Sequence, residues 1–285
     1  MRRAAEAASR EPRARSAGKY LRSLSLGLRG ALEYRANFVF SLLGAVSPVI
    51  IQTALWACLY APAPSGGPAS PGGAAHGAEL FGYTYAQMLG YTVIANIVGR
   101  LVRTGFEYDL NNDIRSGGLD RFLVKPIDYF GFRMAQFVGA KSAEAVFMCA
   151  VLAAGLAVLA ATAGFGLSLA AAAGFVLALA LAFVLNFLIF WCVGLLGFWL
   201  TEIGFLFEAV RIVIITASGG IFPLSVFGAS GEAVLGALPF RYTIQFPTEV
   251  LCGRVAPHDI ALGLCVGAAW IVPLAAAARA VWAAG

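Results

Sequence analysis

Five stretches of the chain carry no Asp, Glu, Lys or Arg: residues 36–78, 80–99, 145–201, 212–231 and 260–278, which are 43, 20, 57, 20 and 19 residues long. A helix needs about 20 residues to cross ~30 Å of hydrocarbon at ~1.5 Å per residue. The 57-residue run therefore holds two helices, with the turn expected at Thr162-Ala163-Gly164-Phe165-Gly166. The 43-residue run holds one helix followed by a Pro- and Gly-rich stretch. The sum is six spans, expected at about 36–60, 82–102, 142–162, 168–200, 207–226 and 259–282. Composition agrees: 60% of residues are hydrophobic with Gly left out, 12% are charged, and the mean hydropathy is +0.81. A soluble domain averages about 25% charged residues. A soluble enzyme, a disordered chain and a disulfide-stapled secreted domain are excluded. The expected fold class is an all-α integral membrane protein. One membrane domain covers 18–285, after a disordered basic tail over 1–17.

Charge placement orients the chain. Of the 20 Lys and Arg, nine lie in residues 1–35 and seven in 100–141; Arg211, Arg279, Arg241 and Arg254 are the rest. Short loops rich in Lys and Arg stay cytoplasmic. Six spans with an inside N-terminus put 18 of the 20 basic residues on that side, so both termini are expected in the cytoplasm. The bias suits anionic lipid headgroups; no nucleic-acid partner is needed to explain it. Residues 1–19 lack the apolar core and small-residue cleavage site of a signal peptide.

Between and beside the spans, helical periodicity recurs. Leu21, Leu24, Leu28 and Leu32 share one face of an expected interfacial helix over 18–35. Phe106, Leu110 and Ile114 recur every four residues, with Glu107, Asp109, Asn112, Asp113 and Arg115 between them, and Gly117-Gly118 stops that helix. A second short segment sets Leu119, Phe122 and Leu123 against Asp120, Arg121 and Lys125, and Pro126 ends it. Residues 228–258 are too apolar for an ordinary loop and are broken by Pro239, Pro247 and Gly253; short re-entrant helices are expected there. Glu208 and Arg211 stand three apart and can pair on a helix, and Arg241 can pair with Glu249.

Little in the chain can do covalent chemistry. No Walker motif is present: Gly18-Lys19 is followed by Tyr20 and lacks the upstream glycine. Two histidines, His76 and His258, and five scattered cysteines make no metal-ligand set. Secondary transporters carry ionisable coupling residues inside their spans, whereas the charge-free runs here have none. The polar residues within the spans are Gln52, Asn96 and Asn186, with Trp56 one turn beyond Gln52. Two roles are open to them, interhelical hydrogen bonding or lining a substrate path. The chain is not expected to be an enzyme, and no cofactor or metal is expected in it.

Three segments resemble the permease subunits of bacterial ABC-2 type exporters. They are Leu32-Glu33-Tyr34-Arg35-Ala36-Asn37; Asp113 through Pro126, the most specific; and Gly219-Gly220-Ile221-Phe222-Pro223-Leu224 with Leu238-Pro239-Phe240 and Pro247 through Gly253. The resemblance implies a six-helix half-transporter in the bacterial cytoplasmic membrane. It implies a coupling helix between spans 2 and 3 that docks on a separate ATP-binding cassette subunit. Two such ATPases, carrying ATP and Mg, and a second permease, identical or homologous, would complete the transporter. On that reading Leu110, Ile114 and Phe122 would fill an apolar groove on the ATPase, with Phe106 in the same coupling stretch. Asp113, Arg115, Asp120 and Arg121 would set register by charge. The uncharged spans suit an amphipathic or lipophilic cargo. A reading from another class stays open beside it: a non-transporting membrane scaffold that binds partners through the same basic loop.

Overall fold

The computed structural model describes Ser25 and residues 35–61, 79–123, 128–163, 168–200 and 203–285. The tail, almost all of the expected interfacial helix, the Pro- and Gly-rich stretch 62–78 and most of the turn expected at 162–166 lie outside the described residues. Among those described the fold is helical, with one isolated β-bridge between Leu80 and Tyr83. The longer helices are α1 (Arg35–Leu59), α2 (Tyr85–Val102), α3 (Phe106–Arg115), α5 (Tyr129–Ala163), α6 (Leu169–Leu195), α7 (Gly204–Ala217), α10 (Pro257–Ala269) and α11 (Ile271–Ala284). Shorter ones are α4 (Asp120–Leu123), α8 (Gly228–Ala237) and α9 (Gln245–Leu251).

Two helical stretches among the described residues are long and apolar enough to cross a membrane, Leu169–Phe198 and Pro257–Ala284. Counting a bent pair within α5 as one span gives three. That pair, Tyr129–Ser142 and Glu144–Ala154, meets at 42°. The bend falls where Ser142 Oγ donates back to the Gly139 carbonyl at 2.7 Å, a Gly/Ser arrangement that opens helical ladders. The helix also begins at Tyr129, well before the span expected from 142. Asp128 caps it by accepting from the Gly131 backbone N–H at 2.7 Å.

The stretch expected to span 207–226 differs most. Helix α7 has 14 residues, ~21 Å at the α-helical rise and short of the ~30 Å a span needs. It stops because Gly219 takes a left-handed φ of +77°, and the Gly219 carbonyl accepts from Tyr91 Oη at 2.7 Å. A Cβ there would meet Gln245 Oε1 at 2.6 Å, so the turn is glycine's. The last stretch, Pro257–Ala284, remains one candidate span with a local break in its helical ladder. Pro273 has no N–H to donate and its ring clashes with the carbonyl four residues back, that of Ala269, where α10 ends before Trp270.

Helix α6 is the axis of the fold. It is apolar all round, as a membrane-spanning or core helix should be, and half of its apolar window is buried, against 11% for the Pro257–Ala284 stretch. Near its start, Gly174 lies against Ile260 of α10 and Val250 of α9; near its end, Gly194 lies against Leu110 of α3. Twenty residues of helix separate the two glycines, about 30 Å. So α3 and α9 pack at opposite ends of one helix.

Candidate functional site

Helix α3 is held at the end of the bundle by its own apolar stripe. Phe106 stacks on Phe187 of α6 with ring centroids 4.3 Å apart and meets Phe137 of α5 at 5.8 Å. Leu110 has no exposed surface. It fits over Gly194, where a Cβ would come within 2.8 Å of its Cδ2. Ile114 is half-buried in the same cluster. Its Cδ1 would stand 3.5 Å from a Cβ on Gly197. Gly194 at the end of α6 and Gly197 in the tight turn that follows it give a flat surface against which α3 can lie.

Two buried ion pairs fasten the helix from either side. Glu107 is fully buried and pairs with Arg211 of α7. Arg211 also donates from Nη1 to the Thr104 carbonyl at 3.2 Å, approaches Glu208 at 3.4 Å, and lies 5.1 Å over the Phe190 ring. Tyr108 Oη donates to Glu208 at 2.6 Å; burial and that hydrogen bond push the Tyr108 phenol above its ordinary pKa. On the other side Arg133 of α5, 8% exposed, pairs with Asp113 and reaches Asp109 at 3.2 Å. Tyr129 Oη donates to Asp113 at 2.7 Å and accepts from Arg133 Nε at 2.9 Å. Removing one partner of such a pair leaves a buried charge and costs about 3–5 kcal/mol. The helix is thereby fixed to α5, α6 and α7 together.

The residues singled out from the sequence divide accordingly. Phe106, Leu110 and Asp113 face inward and are covered by this chain, which corrects the expectation that Leu110 fills a groove on another protein. Apolar periodicity marks a covered face without saying what covers it. Phe122 is half-buried, with its ring 4.8 Å from Tyr129 and 5.0 Å from Phe132. Arg115 and Asp120 are exposed, as are Tyr108, Asp109, Asn112, Ser116 and Gly117. The Arg121 side chain lies outside the described residues. Glu107 and Arg133 carry the attachment, and neither was singled out by the periodicity. The available signal was that Glu107 lies three residues before Leu110 and seven before Ile114, on the stripe itself.

Gln52, Asn96 and Asn186 find hydrogen-bond partners within the bundle, whereas the buried Trp56 Nε1 has none among the described residues. Asn96 Nδ2 donates to Gln52 Oε1 and to the Thr92 carbonyl, both at 2.8 Å. Asn186 donates to the Val102 carbonyl at the end of α2. Trp56 is buried and meets Phe222 edge-on at 6.0 Å. At the far end of α6, Gln245 accepts from the Leu224 N–H at 3.1 Å and donates to Glu249 at 2.6 Å, and Arg241 pairs with Glu249 at 3.1 Å.

A family model described as ABC-2 family transporter protein matches residues 74–285. Comparison with curated proteins and with solved structures gives no match. The family match takes in α2 through α11 and both ends of α6.

Proposed function

The chain belongs to the ABC-2 transporter family and is a multi-pass membrane permease, and from that premise we propose that it is the transmembrane half of an ATP-driven exporter. Helix α3 is its coupling element. The observation that carries this is the division of α3 into two faces. The inner face is locked to three helices by buried ion pairs and ring stacking, and the outer face presents Asp109, Asn112 and Arg115 to a partner. A push on the outer face moves α5, α6 and α7 as one body. A loop lying on lipid headgroups would not need that stiffness.

In this reading six segments cross the cytoplasmic membrane of a bacterium, with α1 and α2 among them and the fifth made by α7 together with the residues that continue it to 227. Both termini and α3 are on the cytoplasmic side, and the short helices between α7 and α10 are re-entrant from the outside. Two copies of an ATPase bearing ATP and Mg dock on the α3 helices of two permeases, identical or homologous. Arg115, Asp120 and Arg121, joined by Asp109 and Asn112, set the register of docking. Closure of the ATPases moves the α3 helices and switches a cavity between the permeases from inward- to outward-facing. The cargo is amphipathic or lipophilic, in keeping with spans whose polar side chains, Gln52, Asn96 and Asn186, are engaged with neighbouring helices.

The test is purification of the tagged chain from its host in mild detergent, followed by an ATPase assay. A P-loop ATPase is expected to co-purify in about equal amount, with hydrolysis stimulated by cargo. A chain that comes down alone and cross-links to no ATPase through residues 106–125 would overturn the exporter reading in favour of a scaffold.

A further inference from the structure

A groove of about 1010 Å³ opens beside α4, between the start of α5, the end of α6 and the end of α11. Its wall is aromatic: Tyr129 and Trp191 each stack near Trp282, with centroids 5.9 and 6.1 Å apart. Tyr and Trp gather where a membrane protein crosses the headgroup level, because each has an apolar body and a polar tip. The lining also carries charges of both signs, Arg279 of α11 with Asp120 of α4 and Asp128 just before α5. All three are exposed.

The geometry points to a binding site for one zwitterionic glycerophospholipid, its acyl chains along the aromatic wall and its headgroup spanning the mixed charges. The choice of lipid follows from the signs. The phosphate of an anionic lipid would pair with Arg279 but bring no cation to Asp120 and Asp128. A cationic amphiphile would satisfy the carboxylates and be repelled by Arg279. A phosphate and an ammonium on one headgroup meet both, and the rings favour the ammonium further. The inference rests on the chain's place in a membrane and is independent of what α3 docks on.

Native mass spectrometry of the purified full chain, loaded separately with dioleoyl phosphatidylethanolamine and dioleoyl phosphatidylglycerol, tests it. The ethanolamine lipid is expected to be retained about 2- to 5-fold better, the range one exposed ion pair gives. Arg279→Gln and Asp120→Asn alter exposed side chains and leave the packing intact. Asp120→Asn is expected to bring the two lipids closer to parity, whereas Arg279→Gln, which removes a partner of the phosphate both lipids carry, is expected to lower retention of both and keep the preference. Equal retention of both lipids by the unaltered chain overturns the proposal, since the groove would then take acyl chains without reading the headgroup. A preference unchanged by Asp120→Asn, or retention of both lipids unchanged by Arg279→Gln, also overturns it, by placing the site elsewhere.

Discussion

The two ends of α6 are held by different means. At the α3 end the attachment is ionic, Glu107 to Arg211 and Asp113 to Arg133, with rings packed between the pairs. At the α9 end the junction is built largely from neutral groups and glycines. Tyr91 donates to the Gly219 carbonyl, the Gln245 backbone N–H donates to the Ser218 carbonyl at 2.9 Å, and the Gln245 side chain accepts from Leu224. Gly263 lies so close to Phe246 that a Cβ would be 2.2 Å from the ring. The Arg241–Glu249 pair is less completely buried, with the arginine side chain 31% exposed. Charges give orientation over a separation that packing alone would leave loose, which suits a helix that must transmit a push. Close backbone approach gives a fixed shape without charge, which suits irregular backbone in apolar surroundings.

The comparison breaks most visibly at Arg211. Arg211→Met strands the Glu107 carboxylate, which is fully buried and has one oxygen without a partner. A loss of about 3–5 kcal/mol is expected, seen as a fall in the thermal unfolding midpoint of the detergent-purified protein. The double variant Glu107→Gln with Arg211→Met should recover most of it. A single variant that melts with the parent would show that stacking alone holds α3.

The neutral end should yield to volume instead. Gly219→Ala forces a Cβ to within 2.6 Å of Gln245 Oε1 and 2.7 Å of Tyr91 Oη, at a φ that other residues rarely adopt. The expected cost is about 1–3 kcal/mol. Tyr91→Phe removes only a hydroxyl and should cost about 1 kcal/mol by the same melting measurement. If removing the hydroxyl costs as much as adding the methyl, hydrogen bonding rather than close approach fixes this end. Smaller still is Asn96→Leu, which breaks the contact with Gln52. Interhelical hydrogen bonds in membranes are worth about 0.6 kcal/mol on average, so a loss above about 2 kcal/mol would assign Asn96 a larger role than pairing.

The helices were legible wherever length and the absence of charge were the whole signal: α6 occupies 169–195 where a span over 168–200 was expected, and α1 occupies 35–59 against 36–60. They were less legible where one residue overrides a run, as Gly219 does by ending α7. The amphipathic character of α3 could be read from its four-residue recurrence. Its covering could not, because Glu107 and Arg211 are 104 residues apart and no local pattern joins them. Arg211 with Glu208, and Arg241 with Glu249, were within reach because each pair is close in sequence.

The smallest stability effect belongs to the outer face of α3, and it carries the largest functional consequence. Arg115 is exposed, and Arg115→Glu should shift stability by no more than about 0.5 kcal/mol. It reverses a charge where a partner would read it, so cargo-stimulated ATP hydrolysis in the reconstituted complex is expected to fall while the melting curve stays unchanged. Ile114→Asp is not an equivalent probe, because Ile114 packs over Gly197 and a carboxylate placed there would loosen α3 itself. Its loss of coupling should come with a lowered melting midpoint. The two neighbouring variants thus separate the face that holds the helix from the face that is pushed. If Arg115→Glu leaves stimulated hydrolysis intact, the exposed charges of α3 do not set the docking register, and the partner must approach this end of the bundle by another surface.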